Sequence, residues 1–406
     1  MKLAIVTETF PPEINGVAMT FGRVARELAR RGHEVTVCRP RRHDLPAAGS
    51  AKADLPPAGA QAEFTELLVP GIPIPGYPLL RLGLPAAGKL RRRWRADRPD
   101  LVHVVTEGPL GSSAIAAARR LGLPVTSSFH TNFHAYTRHY GFAVLHRVAL
   151  AWLRRVHNRT LRTFAPTTEL CDELRALGFA NLHLLSRGVD TAHFSPDHRQ
   201  EALRHRWHAG PGDPVVLHVG RMAAEKNYPL IFRAFAAMRA ANPRCRFVLV
   251  GDGPLRPALQ RAHPECIFPG FIPRAELARH YASADLYIHA SLTETFGNVL
   301  TEAMASGLAV AAFDYAAARQ FVRHEQNGLA IPCREPDALI AAATRLAIDA
   351  PLRARLRTAA RAALLAQSWE NVIARFESDL LEVIAGSPPR GADFTPAPAL
   401  VSETAR

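Results

Sequence analysis

Two glutamates that flank the start of one predicted helix carry the strongest chemical signal, in the segment SLTETFGNVLTEAMASG. Glu294 precedes a Gly–Asn turn, and Glu302 lies about a turn and a half inside the helix that begins near Gly297. The first N–H groups of such a helix have no partner within it and therefore attract a phosphate. Two carboxylates at this spacing can contact different parts of one extended ligand, whereas completion of the helix dipole explains only one of them.

Two cations follow a predicted strand in the segment LHVGRMAAEKN. Arg221 and Lys226 are five positions apart, in a loop that begins where the strand ends. Two positive charges at this position can bind a diphosphate without a metal ion. Lys226 is one of only four lysines among 50 basic residues, which favours a function that needs a compact point charge. The alternative is a pair of solvated surface cations, and the spacing alone does not separate the two.

Two glycine-containing loops after other predicted strands are weaker candidates. Asn15 and Gly16 lead into a long helix, where a glycine lets a ligand approach the backbone and the helix start favours negative charge. The first loop has no GxGxxG motif, which argues against an ordinary dinucleotide-binding enzyme. Gly251, Asp252 and Gly253 are equally well explained as a turn with an N-cap.

Three histidines lie close together in the segment SSFHTNFHAYTRHYG, at His130, His134 and His139. Zinc binding is one interpretation of such a group. The spacing lacks the HExxH pattern and no carboxylate is near it, so the sequence predicts no metal site here.

Short apolar runs alternate with helical stretches along the chain, which is typical of βαβ units and parallel sheets. The predicted strands are residues 2–7, 34–38, 67–69, 101–105, 124–128, 163–165, 182–184, 215–219, 246–250, 266–268, 286–289, 309–312 and 329–331. The segment 40–85 is rich in Pro, Gly and Ala and is predicted as a long loop that contains only one of these strands. Helices without strands follow Pro336.

The break in this rhythm predicts two domains. Turn residues cluster between Ser186 and Pro214, so we place an N-terminal domain at residues 1–195 and a C-terminal domain with the final helices at residues 196–385. Residues 386–406 are predicted to be a disordered tail. The fold class is therefore α/β, with two facing Rossmann-like, doubly wound domains. Because ligands bind at the carboxyl ends of parallel strands, the site is expected in a cleft between the domains.

Composition excludes several classes of protein. The chain has 406 residues, of which 48% are hydrophobic and 21% charged, so a disordered, collagenous or coiled-coil protein is ruled out. Five cysteines form no CxxC pair, which argues against a disulfide framework and favours a reducing cytosol. The apolar run at residues 3–6 is too short for a signal peptide, and no stretch is long and apolar enough to span a membrane. We therefore expect a cytoplasmic protein whose membrane contact, if it has one, is peripheral.

The net charge of +14 is unevenly distributed. Residues 1–195 hold 26 basic and 15 acidic side chains, a balance of +11, which leaves +3 for the rest. Such asymmetry predicts an anionic partner, either a membrane surface or nucleic acid. The cations at positions 89–98 around Trp94 favour a membrane surface, because an interfacial tryptophan beside cations suits lipid headgroups. The alternative is that the arginine content reflects a GC-rich genome.

As a set, the motifs resemble those of the retaining GT-B glycosyltransferases that use nucleotide sugars, a family that includes phosphatidylinositol mannosyltransferases and sulfoquinovosyl-diacylglycerol synthase. The resemblance covers about residues 1–385, through TFPPEINGVA, FHTNFHAYTRHYG, GVD, GRMAAEKN, VGDGP, GFIPRAEL, YASAD and ETFGNVLTEAMASG. It implies the GT-B fold, a nucleotide-sugar donor as substrate, and neither a cofactor nor a metal.

The resemblance and the residue patterns together define an expected site. The catalytic residues are His130, Arg221, Lys226 and Glu294. The expected donor-binding residues are Asn15, Gly16, Gly220, Asp252, Gly253, Phe271, Ile272, Phe296, Gly297, Asn298, Val299, Leu300 and Glu302. The acceptor side is expected at Asn132, Tyr136, Arg138 and Tyr140.

The resemblance also implies a role for most of these residues. The cation pair would hold the donor diphosphate, Glu302 the ribose, and Glu294 the transferred sugar. His130 would touch that sugar as well, and the backbone at Phe271 and Ile272 would hold the base. The family's front-face mechanism, in which the departing phosphate accepts the acceptor's proton, implies that Glu294 is not a nucleophile.

The TETFPPEINGVA and FHTNFHAYTRHYG segments are most similar to those of GDP-mannose-dependent α-mannosyltransferases that act on glycolipid acceptors. A lipid or glycan acceptor at the inner membrane is therefore expected. A UDP-sugar donor, as in sulfoquinovosyl- or glucosyl-diacylglycerol synthases, remains the alternative, because one or two side chains decide between the bases. A nucleotide-sugar epimerase is a weaker rival, since the paired glutamates argue against it. A nucleic-acid-binding protein would need aromatic platforms, and only 7% of residues are aromatic.

Overall fold

The computed structural model describes residues 1–13, 15–41, 64–74, 77–130, 143–291, 293–294 and 296–387. The apolar runs of the first half form strands, and the helical stretches between them pack on the sheet faces. The strands are β1 (Lys2–Val6), β2 (Glu34–Pro40), β3 (Thr65–Val69), β4 (Gly71–Ile74), β5 (Tyr77–Gly83), β6 (Leu101–Val104), β7 (Val125–Ser128), β8 (Arg162–Ala165) and β9 (Leu182–Leu184). The helices are α1 (Gly16–Arg30), α2 (Ala87–Ala96), α3 (Pro109–Arg120), α4 (Ala143–His157) and α5 (Thr168–Ala176).

The second half repeats this alternation and then continues as helices alone. Its strands are β10 (Val215–Val219), β11 (Arg246–Val250), β12 (Ile267–Gly270), β13 (Leu286–His289), β14 (Ala309–Phe313) and β15 (Leu329–Ile331). Its helices are α6 (Glu201–Arg206), α7 (Tyr228–Ala241), α8 (Arg256–Ala262), α9 (Arg274–Ser283), α10 (Asn298–Ala305), α11 (Ala316–Phe321), α12 (Pro336–Ile348), α13 (Ala350–Leu365) and α14 (Trp369–Ala385). Short 3₁₀ turns lie at Pro196–His198 and Ala224–Lys226.

Each half contains one parallel sheet. The first has seven strands in the order β3-β2-β1-β6-β7-β8-β9, and the second has six in the order β12-β11-β10-β13-β14-β15. Every strand pair within the two sheets is parallel. In both, the chain starts at a central strand, winds to one edge and returns to the other side. The predicted pair of Rossmann-like, doubly wound halves is confirmed.

The last helix joins the two halves. Ile373, Phe376 and Leu380 of α14 are buried in the core of the first sheet together with residues of β1 and α1. Ion pairs from Arg162 of β8 to Asp379 and Glu382 hold the exposed face of the helix. The chain therefore returns to the N-terminal half after completing the C-terminal one, and the domain boundary at residue 195 stays a prediction.

Two features of the N-terminal half differ from the predictions. Within the segment predicted to be a loop, β3 forms as expected, but β4 and β5 also pair as an antiparallel hairpin outside the main sheet. The prolines of this hairpin are compatible with a two-stranded ribbon, because proline cannot donate to a ladder and favours edge positions. Trp94 is only 2% exposed and packs in the core, so the prediction of an interfacial tryptophan there is wrong.

Four predictions concern other features of the chain. The helices after Pro336 end at Ala385, close to the predicted limit, and most of the predicted tail, residues 388–406, lies outside the described residues. All five cysteines are free, and four of them are buried. Within the described ranges, no helix is long and apolar enough to cross a membrane.

Candidate functional site

The candidate site lies where the chain order of the second sheet reverses. Strands β10 and β13 are neighbours in the sheet, although β11 and β12 lie between them in the sequence. Loops that leave such adjacent strands diverge to opposite faces and open a crevice at their carboxyl ends. The loop after β10 carries Lys226 and the loop after β13 carries Glu294, and the Lys226 Nζ donates to Glu294 Oε1 at 2.5 Å. The two groups that the sequence predicted to act together therefore converge at the switch point.

The environment of this pair keeps Glu294 ionised. The two side chains are 15% and 14% exposed, so the contact is shielded from water. Burial by itself would raise the pKa of Glu294, but the charge and the hydrogen bond of the Lys226 ammonium hold its pKa below the usual value. His289 Nε2 lies 3.8 Å from Glu294 Oε1, and burial lowers the pKa of this ring to about 4. The site thus holds an ammonium and a carboxylate that a ligand can separate.

Arg221 occupies a different position from Lys226. Its side chain is exposed, and no described residue forms an ion pair with it. The backbone of the same loop is ordered by an N–H bond from Ala223 to the Arg221 carbonyl at 2.9 Å. One predicted cation therefore lies inside the crevice and the other at its rim.

The Gly–Asp–Gly loop after β11 packs against the loop that carries Arg221 and Lys226. Gly251 and Gly253 have φ values of 133° and 156°, and a Cβ at position 251 would lie 2.0 Å from the Gly220 carbonyl oxygen. Only glycine allows the two loops to touch. The Asp252 carboxylate accepts from the Gly253 N–H at 2.7 Å and pairs with Arg256 at 3.0 Å. Its contacts are those of a turn residue, and a donor contact for Asp252, Gly253 or Gly220 stays a prediction.

The start of α10 offers fewer free N–H groups than predicted. Gly297 has a φ of 97° and begins the helix, and Phe296 before it is buried. The Leu300 N–H donates to the Gly297 carbonyl at 3.0 Å, and the Leu300 side chain is buried in the core. Among the described residues, the N–H groups of Asn298 and Val299 have no backbone acceptor. These two amides, rather than three, can bind a phosphate.

Glu302 lies on α10 away from the Lys226–Glu294 pair. The Tyr281 hydroxyl donates to Glu302 Oε2 at 3.1 Å. Burial raises the pKa of Glu302 to about 7, because this hydrogen bond and the charge of Arg274 only partly compensate for the loss of water. A carboxyl group in this state can accept hydrogen bonds through both oxygens only after it has lost its proton.

The residues expected near the base lie at the edge of the same sheet. Phe271 directly follows β12 and is 82% exposed, whereas Ile272 is partly buried against the core. The Gly251 N–H donates to the Gly270 carbonyl at 2.9 Å, which joins this edge to the Gly–Asp–Gly loop. An exposed phenylalanine at this edge offers a flat apolar surface to a planar ring.

The N-terminal half contributes His130 after β7. Neither ring nitrogen of this buried side chain has a hydrogen-bond partner among the described residues, and the ring packs edge-on against Phe21 at 5.5 Å. Burial, followed by the charge of Arg187, lowers the pKa of His130 well below its usual value, so the ring is neutral at physiological pH. The acceptor residues predicted at positions 132, 136, 138 and 140 lie outside the described residues.

The first N–H groups of α1 were predicted to attract a negatively charged ligand, but two of them are already hydrogen-bonded. The Asn15 Oδ1 accepts from the N–H groups of Val17 and Ala18 at 3.1 and 2.9 Å, so these groups are not available to a ligand. The group that approaches the backbone of Gly16 is the guanidinium of Arg187, because a Cβ at position 16 would lie 2.8 Å from its Nη1. The positive charge expected at the start of α1 therefore comes from the Arg187 side chain and not from the helix N–H groups.

Two charged residues with unusual surroundings were not identified from the sequence. Arg187, in the SRGVD segment, is buried beside Gly16 and Phe296 and lies at no recognisable spacing from other charged residues. Glu8, directly after β1, accepts from the Leu110 N–H at 3.1 Å, and burial raises its pKa to about 7. Its position after a strand is a signal that could have identified it.

Among the described residues, no group of three or more His, Cys, Asp or Glu side chains is arranged to bind a metal.

Comparison with known proteins identifies the family. The model for Glycosyltransferase Family 4 matches residues 14–193, and that for Glycosyl transferases group 1 matches residues 213–349. A GDP-mannose-dependent alpha-mannosyltransferase of Mycobacterium tuberculosis is 36% identical over 91% of this chain and 93% of its own length. The protein of the same name from Mycolicibacterium smegmatis is 37% identical over 94% of this chain and 98% of its own. Sulfoquinovosyl transferase SQD2 of Arabidopsis thaliana is 28% identical over 80% of this chain and 62% of its own.

Solved structures show the same architecture. HepE of Anabaena in complex with UDP superposes with a TM-score of 0.72 at 19% identity, over 94% of this chain and 100% of that one. Sucrose-phosphate synthase of Thermosynechococcus elongatus gives 0.70 at 18%, over 95% and 100%. Two Rossmann-like halves with a cleft between them define the GT-B class of glycosyltransferases. The chain belongs to the glycosyltransferase family of these two models, and it is a glycosyltransferase.

Proposed function

We propose that the protein is a retaining, metal-independent mannosyltransferase that uses GDP-mannose and a lipid or glycan acceptor at the inner membrane surface. The donor is supported by the two relatives named as GDP-mannose-dependent enzymes, at 36% and 37% identity. A UDP-sugar donor is the second candidate. It is supported by the UDP complex of HepE at 19% identity and by the likeness to sulfoquinovosyl transferase SQD2.

The Lys226–Glu294 pair carries this proposal. A diphosphate that enters the crevice competes with the Glu294 carboxylate for the Lys226 ammonium, which donates to this carboxylate at 2.5 Å. The two free amides of α10 and Arg221 at the rim add to the positive field. Once Lys226 turns to the phosphate, Glu294 is free to accept from the sugar hydroxyls. Donor binding would thus assemble the catalytic arrangement.

For the reaction we propose the front-face course that the family resemblance implies. The bond between the anomeric carbon and the phosphate oxygen breaks, and a bond to the acceptor oxygen forms on the same face of the sugar. The acceptor's proton passes to the departing phosphate oxygen, so no protein nucleophile takes part. Lys226, Arg221 and the α10 amides stabilise the negative charge of the leaving group, which is usually the largest contribution in such sites. Glu294 orients the sugar and stabilises its positive charge.

A thermal-shift panel of GDP, UDP and ADP, each with and without a sugar, tests the donor. A ligand present at about 100 times its dissociation constant stabilises the folded state by about 2.7 kcal/mol. We expect GDP and GDP-mannose to raise the Tm more than the other nucleotides. A larger shift with UDP would replace the donor, and no shift with any nucleotide would overturn the site.

The affinity for GDP is expected to rise with pH. Burial raises the pKa of Glu302 to about 7, and only the ionised carboxylate can accept from both ribose hydroxyls through its two oxygens. Deprotonation therefore precedes binding, and the association constant should increase by about tenfold between about pH 6 and about pH 8. Calorimetric titration across this range measures the slope. The variant Glu302→Gln should show a flat profile, and an equal slope in that variant would exclude Glu302 as its cause.

The surface of α4 supports docking to an anionic membrane. Val148 and Trp152 on this helix are 64% and 42% exposed. Burial and the charges of Arg155 and Arg119 lower the pKa of Arg159. The three guanidinium groups are therefore near enough to act on one another. Exposed apolar side chains beside clustered cations match the boundary between lipid headgroups and acyl chains. This surface replaces the region around the buried Trp94 as the candidate for membrane contact.

Vesicle co-sedimentation tests the α4 surface. Wild-type protein should bind phosphatidylglycerol vesicles and not phosphatidylcholine vesicles. Each cation near an anionic surface contributes about 1 kcal/mol, so Arg155→Ser with Arg159→Ser should reduce partitioning by at least about tenfold. The matched control replaces two exposed arginines of α2, Arg92 and Arg95, by serine. An equal loss in the control would assign binding to net charge rather than to α4.

A further inference from the structure

A buried arginine without a matching anion lies between the two halves of the protein. Arg187 is only 7% exposed, and its Nε has no hydrogen-bond partner among the described residues. Its guanidinium lies over the ring of Phe296, 5.7 Å from the centroid. No described carboxylate lies within ion-pair distance. A buried charge in this state is costly unless an anion joins it.

A second buried arginine, Arg204, has the contacts expected of a residue that stabilises the fold. Arg204 is 1% exposed and pairs with Asp285 at 2.9 Å. It also donates to three backbone carbonyls, those of Ser283, Gly210 and Asp213. Arg204 is thus held by partners that its own fold provides, whereas Arg187 is buried to a similar degree without them.

The surroundings of Arg187 indicate where its partner would lie. The guanidinium borders Gly16 at the start of α1 in the N-terminal half and Phe296 before α10 in the C-terminal half. The charge of Glu294 acts to raise the pKa of Arg187, and the charge of Arg187 helps to lower the pKa of His130. These are the residues around the position expected for the transferred sugar. An anion held there would be attached directly to that sugar.

We propose that Arg187 is a third phosphate-binding cation, which contacts the phosphate bonded to the transferred sugar from the side opposite Lys226. This inference rests on the proposed function, because it takes a nucleoside diphosphate sugar as the ligand. Gly16 is then needed because any larger residue would displace the guanidinium. The phosphate would be held between Lys226 and Arg187, one from each side of the cleft, and the two would share the leaving-group charge.

Calorimetric titration with nucleoside mono- and diphosphates tests the inference on the full chain. GDP and GMP are used if GDP stabilises the wild type most, and otherwise the corresponding pair of the best nucleotide. In Arg187→Met, the diphosphate affinity should fall by at least about tenfold, while the monophosphate affinity stays within about twofold. Arg187→Lys should recover part of the loss. Equal losses for both nucleotides, or none, would overturn the inference.

Thermal denaturation separates this role from a structural one. Without ligand, Arg187→Met should leave the Tm unchanged or raise it, because it removes an unpaired buried charge. The control Arg204→Met should lower the Tm clearly, since it removes an ion pair to the buried Asp285 and the donor to three backbone carbonyls. A drop in Arg187→Met as large as in the control would assign Arg187 to the fold. Gly16→Ala, whose Cβ would lie 2.8 Å from the guanidinium, should reproduce the selective loss of diphosphate affinity, and normal affinity there would contradict the placement.

The same measurements distinguish a failure of the proposed function from a failure of the inference about Arg187. If the wild type binds no nucleoside diphosphate, the function fails and the inference fails with it. If it binds UDP rather than GDP, the donor is wrong, but the comparison of diphosphate with monophosphate still decides the role of Arg187.

Discussion

Replacing Lys226 by methionine is expected to lower the turnover number by at least about 100-fold, which corresponds to about 3 kcal/mol of lost transition-state stabilisation. The ammonium lies inside the crevice, where the Nζ is 2.5 Å from Glu294 Oε1 and only 15% of the side chain is exposed. A charge in such a shielded position acts strongly on a leaving group. The rate is measured as GDP release from GDP-mannose, with a total lipid extract as the source of acceptor.

Two controls make this result specific. Lys2→Met removes an exposed lysine that forms surface ion pairs with Glu34 and Asp97, and its activity should be normal. The methionine at position 226 also leaves Glu294 buried without its partner. Calorimetry with GDP separates the two effects, because loss of a phosphate-binding cation weakens GDP binding, whereas a disturbed Glu294 alone would lower turnover and leave GDP affinity unchanged. A single variant with near-normal turnover would remove Lys226 from the mechanism.

Glu294→Gln should also lower turnover by at least about 100-fold, but it should not weaken the binding of GDP. The carboxylate supports the sugar's positive charge in the transition state, and GDP has no sugar at that position. Glu294 competes with the phosphate for Lys226, so the loss of its charge should leave GDP affinity equal or higher. Calorimetry with GDP and the GDP-release assay together separate these two effects.

The matched control for this variant is Glu276→Gln, at an exposed glutamate on α9 that pairs with Arg279. Its turnover and GDP affinity should match those of the wild type. If Glu294→Gln instead lost GDP affinity and turnover in the same proportion, Glu294 would be a residue of the nucleotide site and not of the sugar site.

The fold could be predicted because its signals are local. Apolar runs such as Val215–Val219 and Leu286–His289 are fully buried strands of a parallel sheet, and their composition alone identifies them. The hairpin of β4 and β5 could not be predicted in this way. Its segment GIPIPGYPLLRLG is dominated by residues typical of loops, and the pairing depends on the partner strand.

The site could be predicted in part, because loops after parallel strands at a switch point converge whatever their sequence. This rule brought Lys226 and Glu294 together. The sequence could not show that Asn15 uses its side chain to cap α1, or that Trp94 turns into the core. It also gave no sign of Arg187, whose importance follows from burial and the absence of a described partner, and these exist only in the folded chain.

The central claim is that side chains and helix amides of this cleft hold a sugar diphosphate and stabilise its departure without a divalent ion. The most direct measurement is the rate of GDP release from GDP-mannose in excess chelator, compared with the rate after Mg²⁺ or Mn²⁺ is restored. We predict rates that agree within about twofold, because Lys226, Arg221 and the α10 amides supply the charge that a metal would otherwise provide. A rate that falls by about tenfold or more in chelator and returns with the metal would contradict the claim.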